Sequence, residues 1–146
     1  MTRSETAQQY FRDGFNCSQS VLSVFAEDLG ISKDSSLKIA CGFGGGMARQ
    51  QLTCGAVTGA IMALSLKFGK VTNDEDSKKI FTYEKTKTLM EEFRKKHNSI
   101  NCRELLQGLD MVNDASKIKE LNLFQLKCSC YVKDAVEITE TLLKEA

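Results

Sequence analysis

Apolar residues in this chain gather in short stretches closed by glycines, and the near absence of β-branched runs together with the complete absence of proline predicts helices almost throughout. A short first helix is expected over Thr6 to Arg12, ending at Gly14. A second runs from Cys17 to Asp28, with Val21, Leu22, Val24, Phe25 and Leu29 apolar and Gly30 as terminator. Ser32 caps a third, which carries Leu37, Ile39 and Ala40 and stops at Gly42-Phe43-Gly44-Gly45-Gly46. The most apolar segment predicts a fourth helix from Cys54 to Phe68, stopped by Gly69. Asn73 to Lys96 reads as a long, polar surface helix whose less polar side, Tyr83, Thr86, Met90, Phe93 and His97, alternates spacings of three and four. Further helical signals begin at Cys102 to Leu106, resume after Gly108 over Ala115 to Leu121, and end in an amphipathic helix from Cys130 to Lys144. The expected fold is all-α: a single-domain helical bundle over residues 1–146 with about six or seven helices.

Composition narrows the function. The 20 Lys+Arg residues against 19 Asp+Glu leave a net charge of +1, which gathers neither nucleic acid nor an anionic membrane. The stretch Cys54 to Leu66 falls short of the ~18 apolar residues a bilayer span needs, so no membrane insertion is expected. The opening MTRSETAQQYFRDG lacks an apolar core with a cleavage site, and the expected location is cytoplasmic. The 6 cysteines, in a reducing compartment and a chain long enough for a core, point to metal ligation or redox chemistry rather than to structural disulfides. One histidine and no tryptophan leave imidazole-rich metal sites and Ser-His-Asp catalysis poorly supplied.

Three of those cysteines follow an N-capping residue: Asn16-Cys17, Thr53-Cys54 and Asn101-Cys102. Gln19 and Glu104, three residues beyond Asn16 and Asn101, complete the capping-box pattern. A thiol on the first turn meets the positive end of the helix dipole and free N–H groups, so ionised, reactive sulfurs are expected there. Ser129 would similarly cap the last helix and place Cys128 and Cys130 at its start. Buried cysteine also serves as plain packing, and that is the expectation for Cys41, as it is for His97. In Cys54-Gly55-Ala56-Val57-Thr58-Gly59-Ala60 the small residues Gly55, Gly59 and Ala63 share a helix face, which admits either a neighbouring helix or a group bound beside the thiol, with packing the stronger reading for Gly59. The Gly42 to Gly46 run is a flexible turn or an anion-binding nest; it lacks the lysine and hydroxyl residue of a phosphate-binding loop, which excludes a nucleotide site of that kind.

The segments Gly14-Phe15-Asn16-Cys17-Ser18-Gln19, Gly42-Phe43-Gly44-Gly45-Gly46-Met47, Thr53-Cys54-Gly55-Ala56-Val57-Thr58-Gly59 and Asn101-Cys102-Arg103-Glu104-Leu105-Leu106, with Cys128 before Tyr131-Val132, together resemble a known family. It is the prokaryotic redox-active protein family named for its C, GCAxxG, C, C cysteine pattern. The resemblance spans nearly the whole chain and assigns the four family positions to Cys17, Cys54, Cys102 and Cys128, with Cys41 and Cys130 extra. It names a class and not a reaction.

The leading expectation is that these four thiolates bind an iron–sulfur cluster or another thiolate-bound metal for electron transfer, served by a redox partner protein. Cys54 is the central residue, with Gly55 and Gly59 beside the cofactor. Two alternatives stand beside it: a metal-free thiol–disulfide oxidoreductase with Cys54 as the attacking thiolate, and a zinc-stabilised structural or interaction module. Whether the protein is an enzyme, and whether it forms a homo-oligomer, is left open.

Overall fold

The computed structural model describes residues 1–145. Side-chain caps start four of its helices. Thr2 accepts the Glu5 N–H while the Glu5 carboxylate accepts the Thr2 N–H, and this reciprocal cap opens α1, Arg3–Arg12. Asn16 and Gln19 repeat the device at α2, Cys17–Ser23. Ser32 caps α3, Lys33–Ala40. The apolar segment becomes α4, Gly55–Phe68, and the polar one α5, Asp76–His97. Asn101 caps a single turn, α6, Cys102–Leu105. Then come α7, Ala115–Glu120, and α8, Ser129–Lys144.

Helix α4 is the central post, because Ala56, Val57, Ala60, Ala63 and Leu64 are all fully buried. Helices α2, α5 and α8 pack around it, and α1 lies across α2 and α8. The closest approach is at Gly59, where a β-carbon would sit 2.7 Å from the Ser18 carbonyl oxygen and 3.0 Å from the Val21 β-carbon. The missing side chain lets α2 lie directly on α4.

All-α is the observed class: among the described residues there are eight right-handed helices, the Gly44–Met47 turn aside, where six or seven were expected. The second helix is shorter than expected: it stops at Ser23, and the tight turn Glu27–Leu29 replaces its last stretch. The buried stripe of α5 is Thr82, Leu89 and Phe93, whereas Tyr83 is 62 % exposed. Spacings of three and four fit either stripe, and docking against α4 and α8 chose the one that buries Leu89. Thr53 is not a helix cap, because it pairs in an isolated antiparallel bridge with Asn101 and leaves Cys54 as the N-cap of α4. Ser129 is not a cap either: a wide helical turn over Phe124–Cys128 runs straight into α8, and the Ser129 hydroxyl accepts the Gln8 side chain instead. Among the described residues no helix is long and apolar enough to cross a membrane.

Candidate functional site

The glycine run between α3 and α4 folds into an uncommon shape. Gly45, Gly46, Met47, Ala48 and Arg49 all have φ between 51° and 69°, as a turn of left-handed helix requires. Glycine adopts this freely, but each L-residue there costs about 1–2 kcal/mol. Backbone bonds hold the turn: Gln51 N–H donates to the Gly45 carbonyl at 2.9 Å and Leu52 N–H to the Gly46 carbonyl at 3.0 Å. The chain leaving it is stitched to the segment before α6, with Cys54 N–H on the Ile100 carbonyl at 2.7 Å and Cys102 N–H on the Leu52 carbonyl at 2.6 Å. Two cysteines far apart in sequence are thereby set side by side through their own backbones.

A cavity of about 80 Å³ opens where these pieces meet the starts of α2 and α4. That is several times the ~10–15 Å³ that holds one water. Cys17, Cys54, Cys102 and Cys128 all line it. Cys17 is the first residue of α2, Cys54 the N-cap of α4, Cys102 the first residue of α6, and Cys128 lies at the junction into α8. Glycines let the sulfurs approach. A β-carbon on Gly55 would stand 3.1 Å from that of Cys17, and one on Gly46 would stand 2.8 Å from that of Cys102. Phe11, Leu106, Met111, Phe124 and Tyr131 complete an apolar wall containing no lysine, arginine, histidine or carboxylate.

Burial reverses the expected ionisation. Loss of solvent pushes the Cys54 thiol up to about 12, against the opposing pull of the Ala56 and Val57 N–H groups at the start of α4. The Cys102 thiol is pushed up to about 11 by burial, with the nearby Cys128 adding to the effect. Hydrogen bonding with the Cys128 thiol, followed by burial, raises Cys17 as well. These helix-start thiols are therefore neutral near pH 7, and the thiolates expected from the helix dipole are not its consequence here. The dipole contributes ~0.3–1 kcal/mol in its usual setting, and the cost of burying an ionised sulfur at Cys54 exceeds it.

This has a pH consequence. The folded protein keeps protons on Cys54 and Cys102 that the unfolded chain releases near the ordinary thiol value of 9.0. Stability is accordingly full below about pH 8 and falls as pH rises, by up to ~1.4 kcal/mol per unit for each thiol. Urea denaturation of the reduced, metal-free protein between about pH 7 and pH 10 should show the fall, and Cys54→Ser should flatten it by one thiol's share. Parallel profiles for the two proteins would contradict the assignment.

Tyr131 forms the wall toward α5. Its hydroxyl donates to the Leu105 carbonyl at 2.9 Å, and burial, then the neighbouring thiols, pushes it up to about 12. His97 packs edge-on to this ring at 4.8 Å and bonds Asp134 at 2.8 Å, so the packing expected of it is observed, together with an ionisable partner. Cys41 and Cys130 are both exposed and outside the cavity lining, so Cys41 is not the packing residue it was expected to be. Gly55 reaches the cavity, whereas Gly59 lies under α2. Among the described residues no three cysteine, histidine or acidic side chains converge as they would on a single metal ion.

Sequence reasoning passed over Gln51 and Met111. Met111 lies in a loop without periodicity, and Gln51 follows two other polar residues, so neither carries a local signal of burial.

The family model described as "Putative redox-active protein (C_GCAxxG_C_C)" matches residues 15–142. A protein of Archaeoglobus fulgidus described as uncharacterized is 32 % identical over 137 residues, covering 89 % of this chain and 85 % of the relative. No solved structure matches the chain.

Proposed function

This chain belongs to the C_GCAxxG_C_C family, and we propose that Cys17, Cys54, Cys102 and Cys128 act in it as one redox centre whose sulfurs hold an iron–sulfur cluster or another thiophilic metal group. The observation that carries this reading is a cavity lined by four cysteines, with the Met111 thioether, and by no oxygen or nitrogen side-chain donor of the kind metals take, apart from the already engaged Tyr131 and Asn16. Four thiolates are the common ligand set of such clusters. Ionised together they repel one another, and no cationic side chain lines the cavity to offset that charge. A bound metal group would, since a coordinated thiol is deprotonated outright. When bound, such a group supplies one-electron transfer. The protein's own residues hold the sulfurs, exclude water with Phe11, Leu106 and Phe124, and favour ionised Cys54 through the N–H groups of Ala56 and Val57. The electron partner is a second redox protein, and the reducing cytoplasm suits thiols kept free of disulfides.

One pairing supports a second reading. Cys17 and Cys128 line the same cavity, and the Cys128 thiol is the foremost influence raising Cys17. Without a metal this pair would give up two electrons and two protons to a small-molecule disulfide and become a disulfide itself. Cys54 is a poor attacking thiolate, because burial holds its proton.

Anaerobic purification followed by an absorption spectrum and by iron, zinc and acid-labile sulfide analysis tests the proposal. Visible absorption with iron and sulfide is expected, and Cys41→Ala should keep all of it, because Cys41 lies outside the cavity. Colourless, iron-free protein that oxidises to a Cys17–Cys128 disulfide would replace the proposal with the second reading. Zinc without colour would favour a structural role.

A further inference from the structure

We infer that Gln51 is a positioning residue of the thiol cavity, holding the Met111 wall and the start of α6 in register with Cys54; its role in ligation rests on the reading above. Gln51 is 2 % exposed although it follows two exposed polar residues, Arg49 and Gln50. It takes the left-handed φ of 55°, a conformation L side chains avoid. Both ends of its carboxamide are used: Nε2 donates to the Leu109 carbonyl at 2.8 Å and Oε1 accepts the Met111 N–H at 2.7 Å. Its backbone serves the other side, donating to the Gly45 carbonyl at 2.9 Å and accepting the Arg103 N–H at 3.3 Å.

Two of its four partners line the cavity and a third adjoins it. Gly45 and Met111 line it directly, and Arg103 follows Cys102 on α6. Gly46 packs against the Gln51 α-carbon on one side and the Cys102 β-carbon on the other, at 2.7 Å and 2.8 Å from where its own β-carbon would be. The loop over 109–111 has no sheet or helix partner for these two backbone groups, so the glutamine side chain supplies one. The adjacent charges are engaged with each other: Asp110 pairs with Arg103 at 3.0 Å and also accepts the Val112 and Asn113 N–H groups. Asp114 in turn accepts the Asp110 N–H. Gln51 therefore joins the left-handed turn to the Met111 loop by two side-chain hydrogen bonds, beside the packing of the Met111 sulfur near Gly45.

The test uses the reduced, metal-free full chain and measures how fast each cysteine reacts with dithiodipyridine, a disulfide reagent active in acid, by peptide mass spectrometry. Gln51→Leu keeps the bulk and removes both hydrogen bonds. Its Cys102 should react about tenfold faster than in the wild type, relative to exposed Cys130 in the same sample. Gln51→Glu offers the same donor and acceptor while its carboxyl is protonated, so its ratio should match the wild type near about pH 5 and approach the leucine variant near about pH 8. Phe25→Leu, a core change outside the cavity lining, should leave the ratio unchanged. An unchanged Cys102 ratio in Gln51→Leu, or an equal rise in Phe25→Leu, would overturn the inference as ordinary loss of stability. Should Gln51→Leu fail to fold, the pH course of Gln51→Glu decides alone: a ratio with the wild-type pH course overturns the inference. Failure of the wild type to bind iron would instead remove the ligation reading and leave these ratios intact.

Discussion

The Cys54→Ser protein is expected to bind about tenfold less iron than the wild type, or none, and to lose visible absorption while its helical circular dichroism persists. Cys54 is the N-cap of α4, a position where a serine hydroxyl is at least as good a partner for the free N–H groups as a thiol. The backbone bond from Cys54 N–H to the Ile100 carbonyl is independent of the side chain. The substitution thus nearly keeps the volume and leaves the backbone as it is, and exchanges a soft sulfur for a hard oxygen that iron–sulfur groups seldom accept. Cys130→Ser, at an exposed thiol outside the cavity lining, should change none of these readouts. Full iron content and redox activity in Cys54→Ser would make Cys54 a packing residue and end the proposed mechanism at its centre.

Gly59→Leu should cost stability more than any other single change considered, by about 3 kcal/mol or beyond, because overpacking adds to a collision with backbone. Even a methyl group at Gly59 must displace the Ser18 carbonyl, which stands 2.7 Å from its position, so Gly59→Ala should lie between wild type and leucine. Helix α2 cannot move away without taking Cys17, its first residue, out of the cavity. Stability and iron content should therefore fall together in both variants, measured by urea denaturation and elemental analysis. A Gly59→Leu protein within about 0.5 kcal/mol of wild type would show that α2 and α4 are not in the contact described.

How far the architecture could be read along the chain depends on the range of the forces involved. Asn16, Ser32 and Asn101 were legible as helix caps because a cap bonds an N–H only three residues away. Thr53 and Ser129 have the same local signal and fail as caps, since Thr53 is paired with Asn101 and Ser129 sits within a helix that starts upstream. Gly59 was legible as packing from its spacing to Gly55 and Ala63, but which helix it meets was not. Gln51 had no signal, for its two side-chain partners lie 58 and 60 residues away.

The all-α class, the glycine breaks, the reciprocal cap before Cys17 and the cysteine pattern are properties of short segments or of residue identity, and so are readable along the chain. Tertiary structure decided which thiols line one cavity, which stripe of α5 is buried, and that three capping-position sulfurs keep their protons. Helix starts favour ionised sulfur through N–H groups within a few residues. Removal of water takes walls brought from α1, α6, the loop after it and α8, and in this protein that longer-range cost outweighs the local gain.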